Sequence, residues 1–301
     1  MYDLIILGAG PAGITAAVYA ARKKMDFMVI TRDIGGQAAW SGEVDNYTGY
    51  QFVSGVDLVS KFEEHMRKYD FPLNEHERVE SVVKEGDFIR VKTDKLEYDA
   101  RTVIIATGKC AAELSVPGEI EYRNKGVSYC ATCDGPLFVN KEVAIIGGGN
   151  SALDATLQLA KLARHTFVIN KATHLTGDEV MREKVKTAPS VTVMNETQVR
   201  EVLGERMVSG IRVHRDHKEE YLPVQGIFVE IGLQPNSAFA PGVKCNELGE
   251  IAVNCSNETN VPGIFAAGDV TTVPEKQIII AAGEGAKAAL SASRYLAQSR
   301  F

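Results

Sequence analysis

Residues 4 to 23 read LIILGAGPAGITAAVYAARK, and this stretch decides the fold. Its opening apolar residues predict a short buried strand, GAGPAG a tight turn, and the small residues behind it a helix. Gly8 permits the turn, Gly10 lets the backbone approach a pyrophosphate, and Gly13 allows helix and strand to pack closely. Pro11 stands near the first helical position, where its missing N–H costs little, and Ala12 continues the same turn. The start of such a helix offers free N–H groups and positive dipole potential to phosphate. The plainer alternative is a glycine turn opening an ordinary strand–helix–strand unit. Strand, turn and helix in this order favour dinucleotide binding.

A second copy of the pattern lies at 142–163, EVAIIGGGNSALDATLQLAKLA. Gly147 and Gly149 take the first two glycine positions, and Ala152 replaces the third, a variant the motif allows. Asn150 or Ser151 is placed either to hydrogen-bond phosphate or simply to cap the helix. Asp154 reads as a solvated helix residue. Two such units imply two dinucleotides, usually a flavin and a nicotinamide. The expected class is α/β, with two Rossmann-like, three-layer ββα domains. Elsewhere, residues 79–105 read as strands with a turn at Glu85–Asp87. VPGE at 116–119 reads as a crossover link, and GIFVEIGLQPN at 226–236 as a strand leaving the second unit. GIFAAGD at 263–269 predicts a buried strand ending in Asp269, with a long helix behind it.

The bulk properties exclude several function classes. At 301 residues the chain is long enough for two domains, and 45% hydrophobic with 24% charged residues is ordinary for a globular protein. A net charge of -6 argues against nucleic-acid binding, which normally demands a basic face. No apolar run reaches the roughly 18 residues a membrane span needs. The N-terminus lacks a targeting signal's basic start and cleavage site. Five cysteines, only two of them closely spaced, do not make a secreted disulfide framework. A cytoplasmic, reducing compartment is expected.

The close pair lies in YCATCDGPLF, residues 129–138. Cys130 and Cys133 fit three readings: half a zinc site, two packed thiols, or a redox disulfide. Zinc usually needs four ligands, and the remaining cysteines, at 110, 245 and 255, are dispersed, so no metal site is expected. A CxxC beside a strand–helix–strand unit has a redox mechanism, because the second thiol resolves a mixed disulfide quickly. Asp134 is placed to supply or accept the proton that accompanies reduction, or to serve as a turn residue before Gly135.

In this order the pieces resemble the low-molecular-weight thioredoxin reductase family. Within that family the chain is most similar to the reductase portion of alkyl hydroperoxide reductase flavoproteins. The resemblance rests on GAGPAG at 8–13, GGQ at 35–37, EVDNYTG at 43–49, ATG at 106–108 and the cysteine block. It continues through IIGGGNSALDA, GIFVEIGLQPN, ETNVPGIFAAGD and TTVPEKQIIIAAGEGAKAALSA, and so covers essentially the whole chain.

The resemblance implies an FAD-binding domain from residues 1–112 and 239–301, with an NAD(P)-binding domain, 113–238, inserted into it and carrying the CxxC. It implies that Gly36, Gln37 and Asn46 contact FAD, that Asp269 holds the ribityl chain, and that Gln277 and Ile278 lie against the isoalloxazine ring. Arg32, Asp33, Gly35, Thr107, Gly108, Gly268 and Lys276 complete the candidate FAD set. Asp33 blurs the acidic position expected after the first fingerprint. Asn170 and Lys171 hold the corresponding place after the second. Neither the basic motif of NADPH-preferring members nor a ribose-binding acid is present there, so NADH and NADPH both stand.

The resemblance further implies a homodimer, and electrons passing from NAD(P)H through FAD to the Cys130–Cys133 disulfide. Disulfide and nicotinamide-binding turn fall in one domain, so that domain is expected to swing. With the first strand at residue 2 or 3, no additional thioredoxin-fold region is expected ahead of it, and the expected acceptor is a separate thioredoxin- or glutaredoxin-like protein. Two alternatives remain: a ferredoxin-dependent reductase, and a non-catalytic flavin-binding redox sensor.

Overall fold

Strand β1 (Tyr2–Ala9) is buried on both faces, and that fact organises the first part of the chain. Leu4 and Ile6 pack among the alanines of helices, while Ile5 and Leu7 pack against a second layer of strands. A period of two with both faces apolar is what the middle layer of a three-layer unit requires. The computed structural model describes residues 1–41 and 43–298, except for the side chains of Trp40, Glu43 and Cys133.

After β1 come α1 (Pro11–Arg22), β2 (Phe27–Ile34), a short pair β3 (Glu43–Val44) and β4 (Val53–Ser54), α2 (Gly55–Arg67) and β5 (Leu73–Asn74). An antiparallel meander follows: β6 (Val79–Glu85), β7 (Phe88–Thr93) and β8 (Glu97–Ile105). β9 (Lys109–Ala111) then leads out of this unit.

The next unit covers Ala111–Leu233. It holds β10 (Val127–Ser128), α3 (Ala131–Asp134), β11 (Glu142–Ile146), α4 (Asn150–Leu159), β12 (His165–Ile169), α5 (Glu179–Thr187) and β13 (Val191–Met194). A second meander, β14 (Gln198–Gly204), β15 (Val208–Arg215) and β16 (Lys218–Leu222), precedes β17 (Gly226–Val229). β18 (Leu233–Pro235) pairs with β9, and the chain returns to the first unit for β19 (Ile264–Ala266) and α6 (Ile278–Gln298).

In the first unit the sheet runs β5-β2-β1-β8, with β7 pairing one half of β8 and β19 the other. α1 and α6 cross closely, because a side chain at Gly285 would stand 2.0 Å from the Ala12 carbonyl oxygen. The inserted unit repeats the plan with a parallel sheet β10-β17-β11-β12-β13. In β11, Val143 and Ile145 pack against α4, whereas Ala144 and Ile146 pack against the meander strands β14 and β15. The two-domain, three-layer α/β expectation therefore holds.

One strand is shorter than the sequence suggested. β19 stops at Ala266, not Asp269, because Gly268 (φ +77°) turns the chain out of the sheet, and Asp269 lies in a short 3-10 turn. β12 stops at Ile169, one residue before Asn170, whose side chain bonds back to its own loop.

Candidate functional site

The glycines of the first turn divide into two kinds. Gly8 has φ +99°, and a Cβ there would meet the Ala106 carbonyl oxygen at 2.5 Å. A Cβ at Gly13 would lie 1.8 Å from the Gly8 oxygen. Backbone packs against backbone at both, so only glycine fits. Gly10 differs: the nearest atom to a Cβ there is the Gly35 oxygen, at 3.9 Å. The backbone at Gly10 faces open space.

Helix α1 begins at this turn with no side-chain cap and no acid in its first turn. By contrast, Ser54 caps α2, accepting from Asp57 N at 3.1 Å, and Asp57 adds a charge to the first turn. A capped helix has spent its first amides; an uncapped one keeps them for an anion. The open backbone and uncapped amides fit a pyrophosphate.

The other candidates of this unit gather at the carboxyl ends of β1, β2, β8 and β19, the side where parallel sheets bind ligands. Arg32 and Asp33 are exposed at the end of β2. Thr31, beside them, ties strand to turn: its Oγ1 accepts from Ala9 N at 3.1 Å and donates to the Asp33 carbonyl. Gly35 and Gly36 are both left-handed, at φ +94° and +53°, and open a short 3-10 turn. Gln37 Nε2 donates to the Lys109 carbonyl at 3.1 Å, and Asn46 Nδ2 to Gln277 Oε1 at 3.0 Å. Thr107 donates to the Asn236 carbonyl, and a Cβ at Gly108 would meet nothing within 4 Å. Ile278 is the first residue of α6.

Three supporting residues, Glu284, Glu250 and Lys109, were assigned no role from the sequence. Glu284, buried in α6, accepts from Gly268 N at 2.9 Å and so fixes the turn that carries Asp269. Glu250 pairs with Lys109 at 2.9 Å and with Lys276 at 3.2 Å. The Lys109 hydrogen bond outweighs partial burial and holds the Glu250 carboxyl down at about 2. Burial pushes the Asp269 carboxyl up, opposed by Lys276 and Lys109.

The second turn repeats the division. Gly147 has φ +143°, and a Cβ there would sit 2.2 Å from the Glu230 oxygen, whereas one at Gly149 would meet nothing within 4 Å. α4 also starts without a side-chain cap or first-turn acid, while α5 is capped by Asp178, which accepts from Val180 N at 2.9 Å. A cleft of about 650 Å³ opens here, and Gly147, Gly149, Asn150, Ser151, Asn170 and Lys171 all line it. Asn150 does not cap α4; its Oδ1 accepts from Asp178 N at 2.7 Å, fixing the loop before α5. Asn170 is buried and committed, donating to the Ala172 carbonyl and Asn195 Oδ1 while accepting from Ala172 N. Of the pair after β12, only Lys171 presents an exposed side chain.

Cys130 follows β10 and is disulfide-bonded, while Cys110, Cys245 and Cys255 are free thiols. The Cys133 side chain lies outside the described residues. Cys130 N donates to Ser128 Oγ at 3.1 Å, and Asp134 N to the Cys130 carbonyl at 3.1 Å, so the segment winds into α3. Asp134 is half-buried at the end of that helix. Glu230, directly after β17, lies in the run GIFVEIGLQPN but was assigned no role from the sequence. It lines the cleft, and burial, helped by the Asp154 charge, raises its carboxyl to about 7.

Residues 2–286 match a family model described as pyridine nucleotide-disulphide oxidoreductase. A protein named NADH dehydrogenase from Bacillus subtilis is 41% identical over 298 residues, covering 98% of this chain and 58% of that protein. An alkyl hydroperoxide reductase component of Xanthomonas campestris pv. phaseoli is 41% identical over 303 residues, covering 98% and 57%. The chain thus spans less than two thirds of the length of these relatives. Among solved structures, a Lactococcus lactis thioredoxin reductase superposes with a TM-score of 0.85 at 32% identity, covering 99% of this chain and 100% of that one. Among the described residues no helix is long and apolar enough to cross a membrane.

Proposed function

The chain belongs to the pyridine nucleotide-disulphide oxidoreductase family, and from that premise we propose that it is a flavin-dependent disulfide reductase. In this reading it takes reducing equivalents from NADH or NADPH and delivers them, through a Cys130–Cys133 disulfide, to a thioredoxin- or glutaredoxin-like protein. One observation carries the reading. Two uncapped helices start from glycine turns that are packed solid at one glycine and open at another, and the disulfide lies in the same unit as the second turn.

The first turn, with Gly36, Gln37, Asn46, Asp269 and Gln277, would hold FAD. When bound, FAD supplies two-electron exchange between a hydride donor and a disulfide. Gly10 and the first amides of α1 would take the pyrophosphate, and Lys109 and Lys276 oppose the burial that raises the Asp269 carboxyl. In the inserted unit, Gly149 and the first amides of α4 take the nicotinamide nucleotide's pyrophosphate. Lys171 is the cation available to a 2′-phosphate, while the neutral Asn170 offers no carboxylate to a ribose diol. Cys130 holds the reducible bond, and Asp134, at the end of α3, serves as its proton donor. The enzyme works as a homodimer in a reducing compartment.

Mass spectrometry of the released chromophore, together with anaerobic addition of NADH and of NADPH, tests the reading. It predicts FAD, bleached by at least one of the two nucleotides. FMN, no flavin, or a flavin that neither nucleotide bleaches would overturn it.

A further inference from the structure

The register of the inserted sheet brings Glu230 and the disulfide together. β10 and β17 are parallel neighbours with Ser128 opposite Phe228, so two residues further on Cys130 and Glu230 leave the sheet side by side. On the other flank β17 pairs with β11, Ile146 opposite Val229, and Glu230 N donates to the Ile146 carbonyl at 2.8 Å. The Glu230 oxygen is what packs against Gly147. Its carboxyl reaches the backbone N–H of Ala131, the residue after Cys130. Glu230 therefore stands between the nucleotide cleft and the disulfide segment, touching both.

A second chain of contacts closes the arrangement from α4. Asp154 faces Glu230 as a like charge and accepts from Gln158 Nε2 at 2.7 Å. Gln158 Oε1 in turn accepts from Thr132 of α3 at 3.1 Å. The groups around Glu230 are accordingly Asp154 from α4, the Ala131 amide from α3 with Asp134 three residues on, and uncharged glycine from the turn after β11. Lys171 lines the same cleft but is not among the groups that shift Glu230. A half-buried carboxylate with an acid for a neighbour and, among the described residues, no paired cation is poised to hold a proton.

We propose that Glu230 is a redox-linked proton site for the Cys130 disulfide, taking up a proton on reduction and returning it on reoxidation. This deepens the proposed disulfide reductase and rests on that reading. Two electrons from the reductant break the S–S bond. One sulfur takes a proton and becomes a thiol, and the other is left as a thiolate. The negative charge of that thiolate favours the neutral form of Glu230, so the carboxylate binds the second proton. Reoxidation by an acceptor disulfide re-forms the S–S bond and releases both protons. Burial, with the Asp154 charge added to it, sets the pH at which the exchange occurs.

The experiment uses the whole flavoprotein equilibrated with dithiothreitol buffers from pH 6 to 8.5, quenched with an alkylating reagent. Thiols are counted by mass spectrometry on the peptide holding residues 130 and 133. Glu230→Gln retains an acceptor for the Ala131 amide and removes only the charge. At pH 8 its disulfide should be more readily reduced than wild type, by about tenfold in the equilibrium constant. At pH 6, where wild-type Glu230 is protonated, the two should agree within about twofold. Parallel curves at every pH would overturn the proposal. Asp154→Asn, changed at an exposed position, supplies a check that does not depend on Glu230→Gln folding: the bend in the wild-type curve should move to lower pH, and an unmoved bend counts against the proposal. If no thiols appear at any dithiothreitol ratio, it is the disulfide reading that fails.

Discussion

The two glycine turns, one per unit, have the same backbone logic and different rims. In both, the first glycine of the turn is locked against a neighbouring carbonyl, at Ala106 for Gly8 and at Glu230 for Gly147. In both, the second glycine faces open space, and the helix behind it lacks a cap. The rims diverge. Around the first turn Glu250 is gripped by two lysines, and Glu284 fixes the Asp269 turn. Around the second, Asn170 is tied into its own loop and Glu230 faces another acid. On the proposed reading, the turn would select a pyrophosphate, and the side chains around it would decide which nucleotide binds and what protons move.

The largest expected effect separates the two kinds of glycine. Gly13→Ala or Gly147→Ala puts a methyl into backbone, 1.8 Å and 2.2 Å from a carbonyl oxygen. Each should cost more than about 4 kcal/mol and leave little folded protein in a thermal melt. Gly149→Glu, at an ordinary φ of −89° with open space around it, should fold with wild-type Tm and retain its flavin. Its affinity for NAD(P)H should fall by about a hundredfold or more, because the side chain fills pyrophosphate space and brings a charge of the same sign. If Gly149→Glu binds nucleotide normally, the open glycine is not a binding surface.

The second test contrasts the two glutamates through pH. Glu250 is held at about 2, below the ordinary carboxylate range near 4.3, so it stabilises the fold above that range. That stability is lost as pH falls toward 2. Glu250→Gln should therefore lower stability at pH 7 by on the order of 1 kcal/mol and converge with wild type near pH 2–3. Glu230 is raised to about 7, and the sign reverses. Its neutral form suits the fold, so stability is full below about pH 4 and declines as pH rises through 7. Glu230→Gln should melt higher than wild type above pH 7 and match it below about pH 4. Two variants shifting in the same direction with pH would refute the contrast.

Much of this was legible in the sequence for a physical reason. A backbone that must touch backbone tolerates only glycine, so Gly8, Gly13 and Gly147 announce the turns directly. The apolar strands before them are equally plain, since burial on both faces leaves no room for polar residues. Side-chain braces were not legible. Asn170 reads only as the nucleotide-specificity position after the second fingerprint until its three hydrogen bonds to the surrounding loops are seen. Asn150 reads as a cap or a phosphate ligand; it does not cap α4, and its Oδ1 receives Asp178 N, a brace the sequence does not announce. Glu250 owes its surroundings to Lys109, 141 positions away in the chain. Glu230 did leave a signal: a carboxylate directly behind the buried run GIFV, at the end of a parallel strand where ligands bind.

The smallest effect concerns the helices that are capped. Asp178→Ala removes the side-chain acceptor for Val180 N and Met181 N at an exposed helix start, and should cost about 1 kcal/mol in chemical denaturation. It should leave flavin reduction rates unchanged. A large loss of nucleotide binding in that variant would mean that α5, rather than α4, presents its amides to the ligand.

The central claim is that the open second turn feeds the disulfide of its own unit. One equivalent of NADH or NADPH, added anaerobically to wild type and to Gly149→Glu, followed by alkylation, tests it directly. Wild type should gain two new thiols on the peptide holding residues 130 and 133. Gly149→Glu should gain none, while its same peptide still yields two with dithiothreitol. Equal thiol gain in both proteins, or a wild-type flavin that bleaches while no thiol appears, would contradict it.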